Sequence, residues 1–411
     1  MITLQQYITQ WIYLILAWFR SLYDRFFGTV LTLDSGLEVR LGKQLAEGGF
    51  SVVFYARSTT NNPHKLYALK RIHCHDFETR QQCKNEAEVH YAIHHTKSIH
   101  AKYCMPLLGM TPSSLSLSSS STSPVSTVGG GSHDTSSPYC YMLFPFFPHS
   151  LRAEVNRRIF HTPELVSSSS STMTTPSPWS NSGGEPTVLE LFQHLTEGVA
   201  VLHAAGYTHR DIKLENILLG GSNPSHLVHP VLMDFGSAGP LSRPIRSRNE
   251  ALDVADQASS HTTLPYRPPE LFPGELRYEQ SGVENQEQVF DYTQTDVWML
   301  GCTFFAILYG ASPFEMEFAR PPRRGQERNH SWIRIVECTQ LKVLGNLPKP
   351  HPNTPPAHWY TKEIIELIEW MLNKDRHQRP TLVQVLSRIQ NLKQHPHQAD
   401  IEDPAVIDLG F

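Results

Sequence analysis

The 411-residue chain is 40% apolar and 18% charged, enough to bury a sizeable core in two or three domains or in one large domain of two lobes. Its formal charge of -4 and pI near 6.6 leave no electrostatic footprint for nucleic acid, which argues against partners bound through phosphate neutralisation. Cysteines 74, 83, 104, 140, 302 and 338 are scattered without a CxxC or paired metal-ligand spacing and read as reduced thiols.

Residues 2–19 carry no charge and hold the run Trp11 to Phe19, followed by Arg20, Tyr23, Arg25, Phe26 and Phe27. A spanning helix takes about 20 apolar residues, and Thr3, Gln5, Gln6, Thr9 and Gln10 dilute this stretch. Residues 1–30 are read as an aromatic, apolar segment and candidate membrane anchor. Residues 2–27 would either cross a bilayer or lie in its interface with the aromatic rings at headgroup level. A helix capping the following domain is a second reading. A processed leader fits poorly, since no charged region precedes the apolar run and no small-residue cleavage site follows it. If the segment spans, its arginines keep the bulk of the chain cytoplasmic.

Residues 37–72 alternate and contain β-branched and aromatic runs, as in an antiparallel sheet. The turn Leu45-Ala46-Glu47-Gly48-Gly49-Phe50-Ser51-Val52-Val53 would lay backbone N–H groups over phosphates, with Val53 packing on a base. Ala46 and Ser51 replace the outer glycines of the phosphate-loop pattern, yet small residues still permit close approach. Lys70, on the next strand, would reach the α- and β-phosphates and needs a carboxylate partner. Glu86 is the expected one; Glu88, two residues on, points to another part of the same helix surface.

Two Ser-rich tracts, residues 111–138 and 162–187, are read as disordered surface insertions, because they lack the apolar surface to offset chain entropy. Between them Tyr139 to Phe147 is a buried strand ending at Pro145. This suits a connection between lobes in which Phe144, Pro145, Phe146 and Phe147 line an adenine pocket. Val188, Leu191, Phe192, Leu195, Val199 and Leu202 make one apolar helical face, Val297 to Tyr309 a buried helix, and Ile364 to Leu372 an amphipathic one. A strand-rich front followed by a helical back is an α+β arrangement of two lobes.

His209 to Asn216, followed by Asp234-Phe235-Gly236, supplies two carboxylates, an amine and an amide at the spacing needed around a phosphoryl group in transfer. Asp211 would orient and deprotonate an acceptor hydroxyl, Lys213 would stabilise the moving charge, and Asn216 and Asp234 would each hold Mg2+. His209 braces the loop, and Arg210 is placed to receive a phosphate or a carboxylate. Asp296 is expected on the loop backbone, and Glu270, in Tyr266-Arg267-Pro268-Pro269-Glu270, in an ion pair with Arg379.

On these motifs the chain resembles a eukaryotic protein kinase over about residues 37–392, leaving residues 393–411 as a C-terminal tail. Ala46 to Ser51, Leu143 to Phe147, Pro230 to Ala238 and the segment holding Arg248 to Leu252 resemble in particular one branch of the Numb-associated kinase family. That resemblance implies a bilobal fold with a small antiparallel-sheet N-lobe and a larger helical C-lobe, the cofactors ATP and Mg2+, and protein substrates with serine or threonine acceptors. Lys213 after Asp211 and Thr263 in the later segment agree with such acceptors. A catalytically silent scaffold of the same fold is the alternative, and Lys70, Asp211 and Asp234, one of which such proteins generally lack, are all present. Branch members are typically acylated at an N-terminal glycine and attached to Golgi or other endomembranes. Ile2 stands where that glycine is required, so the aromatic segment is the expected substitute, on the cytoplasmic face.

Overall fold

A computed structural model describes residues 29–48, 51–59, 65–111, 138–160, 177–179, 184–220, 229–276, 288–321 and 332–394. The chain divides into two units, Met1–Pro148 with Asp234–Gly236, and His149–Met233 with Ser237–Phe411. The N-terminal residues 1–28, most of both Ser-rich tracts and the tail from 395 lie outside the described residues. Among those described, no helix is long and apolar enough to cross a membrane.

The first unit is built on strands β1 (Val30–Thr32), β2 (Glu38–Glu47), β3 (Ser51–Ser58), β4 (Leu66–His73), β5 (Gly109–Met110) and β6 (Tyr139–Pro145) with helix α1 (Phe77–His95). They form one antiparallel sheet in the order β1-β2-β3-β4-β6-β5. Period-two alternation sends Val39, Ala56, Tyr67, Leu69, Tyr141 and Leu143 to one face, where they close a core with Leu33. The intervening residues belong to the opposite face, and Val53 lies directly across from both Ala46 and Lys70, Lys70 across from Met142, and Ala68 across from Phe144. Helix α1 starts at Asp76, whose carboxylate accepts the Thr79 amide at 2.7 Å. Its buried stripe, Cys83, Glu86, Ala87, His90 and Ile93, follows the helical period.

In the second unit, β7 (His149–Ser150) leads into α2 (Leu151–Phe160) and α3 (Glu185–Ala204). Short strands β8 (Tyr207–Thr208), β9 (Ile217–Gly220), β10 (His229–Leu232), β11 (Gly239–Pro240) and β12 (Ser242–Ile245) precede α4 (Arg248–His261). Strand β13 (Gln288–Asp291), α5 (Thr293–Tyr309), the hairpin of β14 (Met316–Phe318) and β15 (Ile333–Ile335), α6 (Gln340–Leu344), α7 (Lys362–Met371) and α8 (Leu382–Gln394) complete it. Helix α5 is buried from Thr295 to Tyr309, and Phe304 stacks on Phe192 of α3 with centroids 3.8 Å apart. All six cysteines are free thiols.

Three boundaries differ from the sequence reading. The sheet starts at Val30, inside the segment assigned to the N-terminal anchor, because β1 pairs with β2. Helix α8 runs to Gln394, past the expected start of the tail. The second Ser-rich tract is ordered at its C-terminal end. Residues 185–187 are the first turn of α3, and Trp179, 2% exposed, donates its Nε1–H to Ile307 O at 3.0 Å beneath the Arg158 guanidinium. One large aromatic surface offsets the ordering entropy that the serines around it cannot.

The Glu270–Arg379 pair is bidentate, with both N···O distances 2.7 Å, and Arg379 also donates to the carbonyls of Asn373 and Gln294. Its side chain is fully buried, so removing the carboxylate strands a charge. Glu270→Ala is expected to lower the unfolding free energy in urea by about 3–5 kcal/mol, and Glu270→Ala with Arg379→Met to recover much of that loss.

Candidate active site

In the first unit the ammonium of Lys70 lies 2.8 Å from Glu86 Oε1, 3.0 Å from Glu86 Oε2 and 2.9 Å from Asp234 Oδ1. Helix periodicity decides the partner, since Glu86 falls on the buried stripe of α1 at 4% exposure while Glu88 faces solvent. Burial alone would lower the Lys70 pKa, but the Glu86 and Asp234 carboxylates outweigh it and hold the group above the ordinary lysine range. Asp234 adopts the left-handed region at φ 64.

The phosphate-loop candidates are placed in part. Leu45 is 40% exposed at a break in the β2–β3 register, Ala46 and Glu47 pair with Val53 and Val52, and the Gly48 amide closes the turn on Ser51 O at 2.8 Å. Gly49 and Phe50 lie outside the described residues. In the connecting stretch Phe144 is 8% exposed, Pro145 ends β6, the Phe146 ring lies 5.1 Å from that of Tyr55, and Phe147 is half-buried.

In the second unit Asp211 is the centre of a closed hydrogen-bond ring. Its Oδ1 accepts the Thr263 amide at 3.0 Å and the Thr263 hydroxyl at 2.7 Å. Its Oδ2 accepts Lys213 Nζ at 2.7 Å and Asn216 Nδ2 at 3.2 Å, and Lys213 Nζ also donates to Thr263 Oγ1 at 2.7 Å. Asn216 Nδ2 further holds the Asp211 carbonyl at 2.9 Å, which directs the amide nitrogen inward and leaves the amide oxygen as the donor for a cation.

Asp296, wholly buried at the start of α5, supports this loop. Its carboxylate accepts the amides of His209 at 2.7 Å and Arg210 at 2.8 Å and contacts His203 Nε2 at 2.9 Å. Burial pushes its pKa up, but the His203 bond and charge, His209 and the Arg210 amide pull harder and hold it below the ordinary carboxylate value. His209 bridges the Asp211 amide and the Met233 carbonyl.

The Arg210 guanidinium bonds the Thr208 hydroxyl and the Pro240 carbonyl and lies 3.7 Å over the Tyr292 ring. A Cβ on Gly239 would fall 2.4 Å from Arg210 Cζ, so any side chain there would displace the guanidinium from these bonds.

Helix α4 was not foreseen, although its signals are in the chain. Ser247 accepts the Glu250 amide, Glu250 reaches back to the Arg246 amide at 2.6 Å, and Ala251, Val254, Ala255 and Ala258 form a buried stripe. His90 was also passed over. It is 3% exposed, its ring lies between Phe144 and Phe235 at 5.2 and 4.8 Å, and Nδ1 bonds Met105 O at 2.8 Å.

A sequence model described as the protein kinase domain matches residues 159–397, more than half of the chain. The chain belongs to the protein kinase family and is an enzyme of the phosphotransferase class. Its similarity reaches beyond that match, to serine/threonine-protein kinase 16 of Homo sapiens at 27% identity over 352 residues, 85% of this chain and 89% of the relative. The Mus musculus protein of that name is 28% identical over 351 residues with the same shares, and serine/threonine-protein kinase ppk13 of Schizosaccharomyces pombe is 27% identical over 365 residues, again 85% and 89%.

Burial depresses the His90 pKa from 6.5 to about 4. Between those values the unfolded chain takes up a proton that the folded chain refuses, so stability is full above pH 6.5 and falls as pH drops toward 4, by about 3 kcal/mol from this group. Urea unfolding at pH 7 and 4.5 is expected to show a smaller drop for His90→Met than for the parent.

Proposed function

We propose that the protein transfers the γ-phosphoryl group of Mg-ATP to serine or threonine hydroxyls of protein substrates, with Asp211 as the catalytic base. The observation that carries this reading is the Asp211–Lys213–Thr263–Asn216 ring, in which Lys213, Thr263 and Asn216 all meet the Asp211 carboxylate at hydrogen-bond distance. The names of its relatives, serine/threonine-protein kinases, support the same acceptor class.

Asp211 accepts the acceptor proton, and its fixed bonds keep the carboxylate aimed without reorganisation during the reaction. Lys213 supplies a positive charge beside it. Lys70, held protonated by Glu86 and Asp234, is the cation for the α- and β-phosphates, and the sheet face bearing Ala46, Val53 and Phe144 is apolar enough for a base. Asn216 and Asp234 offer hard oxygen donors of the kind Mg2+ prefers. Bound Mg-ATP supplies the electrophilic phosphoryl group and the charge that screens it.

Asp211→Asn is expected to lower radiolabel transfer to a generic protein substrate by at least about 100-fold while nucleotide binding is kept. Lys70→Met should weaken both. Transfer by Asp211→Asn at the parent rate would sink the assignment.

Residues 2–27 are the proposed membrane contact, on the cytoplasmic face of Golgi or other endomembranes, supported by their uncharged aromatic run and flanking arginines. The full chain should sediment with membranes and a version lacking residues 1–28, which leaves β1 whole, should not; equal solubility of the two rejects the contact.

A further inference from the structure

Glu215 stands in the catalytic loop between Lys213 and Asn216, and none of the roles above uses it. Its side chain is 47% exposed, next to the residue that braces Asp211. Arg152, the second residue of α2, places Nε 2.7 Å from Glu215 Oε1. The other nitrogens of the same guanidinium are held by neutral groups, the Gly310 carbonyl at 2.8 Å and the Tyr266 hydroxyl at 3.4 Å. Arg152 therefore arrives from a rigid helix, is fixed at three points, and spends its charge on a half-exposed carboxylate. Glu315, partly buried and bonded to the Ser312 amide at 3.1 Å, also feels Arg152 and Glu215, so removing Arg152 would leave two carboxylates without the cation that balances both.

A serine seated at Asp211 brings the residues beside it within reach of Glu215, since an extended chain advances about 3.3 Å per residue. A bare carboxylate at that place would attract a basic neighbour of the acceptor, whereas a carboxylate already joined to a guanidinium has little net field to offer. We propose that the Arg152–Glu215 pair is a specificity-determining element that makes the acceptor site indifferent to basic residues beside the phosphorylated serine or threonine, Arg152 occupying internally the place such a residue would take. The proposal rests on Asp211 being the acceptor-side carboxylate.

The test is the ratio of kcat/KM for two peptides that differ only in carrying arginines or glutamines next to the acceptor serine, measured with the full chain. The parent ratio should lie within about threefold of unity, and Arg152→Gln should raise it by about fivefold or more in favour of arginine, the effect of about one exposed ion pair. Glu215→Gln leaves the guanidinium unbalanced and should lower the ratio by a similar factor, and the double variant should return to the parent value. Because Glu215 is half-exposed, its variant carries the test if Arg152→Gln does not fold. A purely structural tie would lower both peptides alike and leave every ratio unchanged, which overturns the proposal, as does a parent ratio above about tenfold. If the ratios stay flat while Asp211→Asn is silent, only the pair is refuted; if Asp211→Asn labels both peptides at the parent rate, the acceptor-site reading itself fails.

Discussion

The catalytic loop depends on one buried carboxylate. Asp296, with no solvent exposure, would be costly to ionise unless its lone pairs were met, and the groups that meet them are the amides of His209 and Arg210 and the imidazole of His203. Just past these two amides Arg210 sits at φ 67, a conformation of net cost for a side-chain-bearing residue, which turns the chain toward the next position. The next residue is Asp211. Asp296 fixes the amide of Arg210, and the Arg210 guanidinium is held by Thr208, Pro240 and the Tyr292 ring, with Gly239 leaving the room, so the costly conformation is held from both ends.

Each unit separately prepares a charge. In the first, Lys70 is kept as an ammonium by two carboxylates, one from the buried stripe of α1 and one from the residue that opens Asp234-Phe235-Gly236. In the second, Asp211 is kept as a fixed acceptor by an ammonium, an amide, a hydroxyl and a backbone N–H. On the proposed function these groups are oriented before any substrate arrives, which is the form of catalysis that phosphoryl transfer rewards most. The Glu270–Arg379 pair and the Trp179 anchor do no chemistry but tie their segments to α5 and its neighbours.

The strands and helices were legible wherever a period ran long enough. The alternation from residue 37 to 72, the Val188 to Leu202 face and the nearly all-apolar stretch Val297 to Tyr309 of α5 all appear as read. The preference for Glu86 over Glu88 was legible for the same reason, because helical spacing separates their faces. Helix α4 was missed because its buried stripe is mostly alanine, a weak hydrophobic signal, and only the Ser247–Glu250 box marked its start. Trp179 was hidden by the serines around it, since composition averages over a window and packing does not. The neutral partners of Arg210 and the Arg152–Glu215 pair were beyond any local pattern, their members being up to 82 positions apart.

By itself the sequence determined which chemical groups stand near one another along the loop from His209 to Asn216, and through its periodicities which face of each strand or helix is buried. Those are properties of a few residues or one period, and local geometry carries them. The bonds of Asp296 to the loop and of Thr263 to Asp211 were expected and are found, but only the tertiary structure decided that the Arg210 guanidinium takes neutral partners, that Trp179 anchors on α5, and that Arg152 pairs with Glu215. The reason is physical: a charge or hydroxyl has no preferred partner until burial removes water as a competitor, and burial is set by the packing of the whole unit.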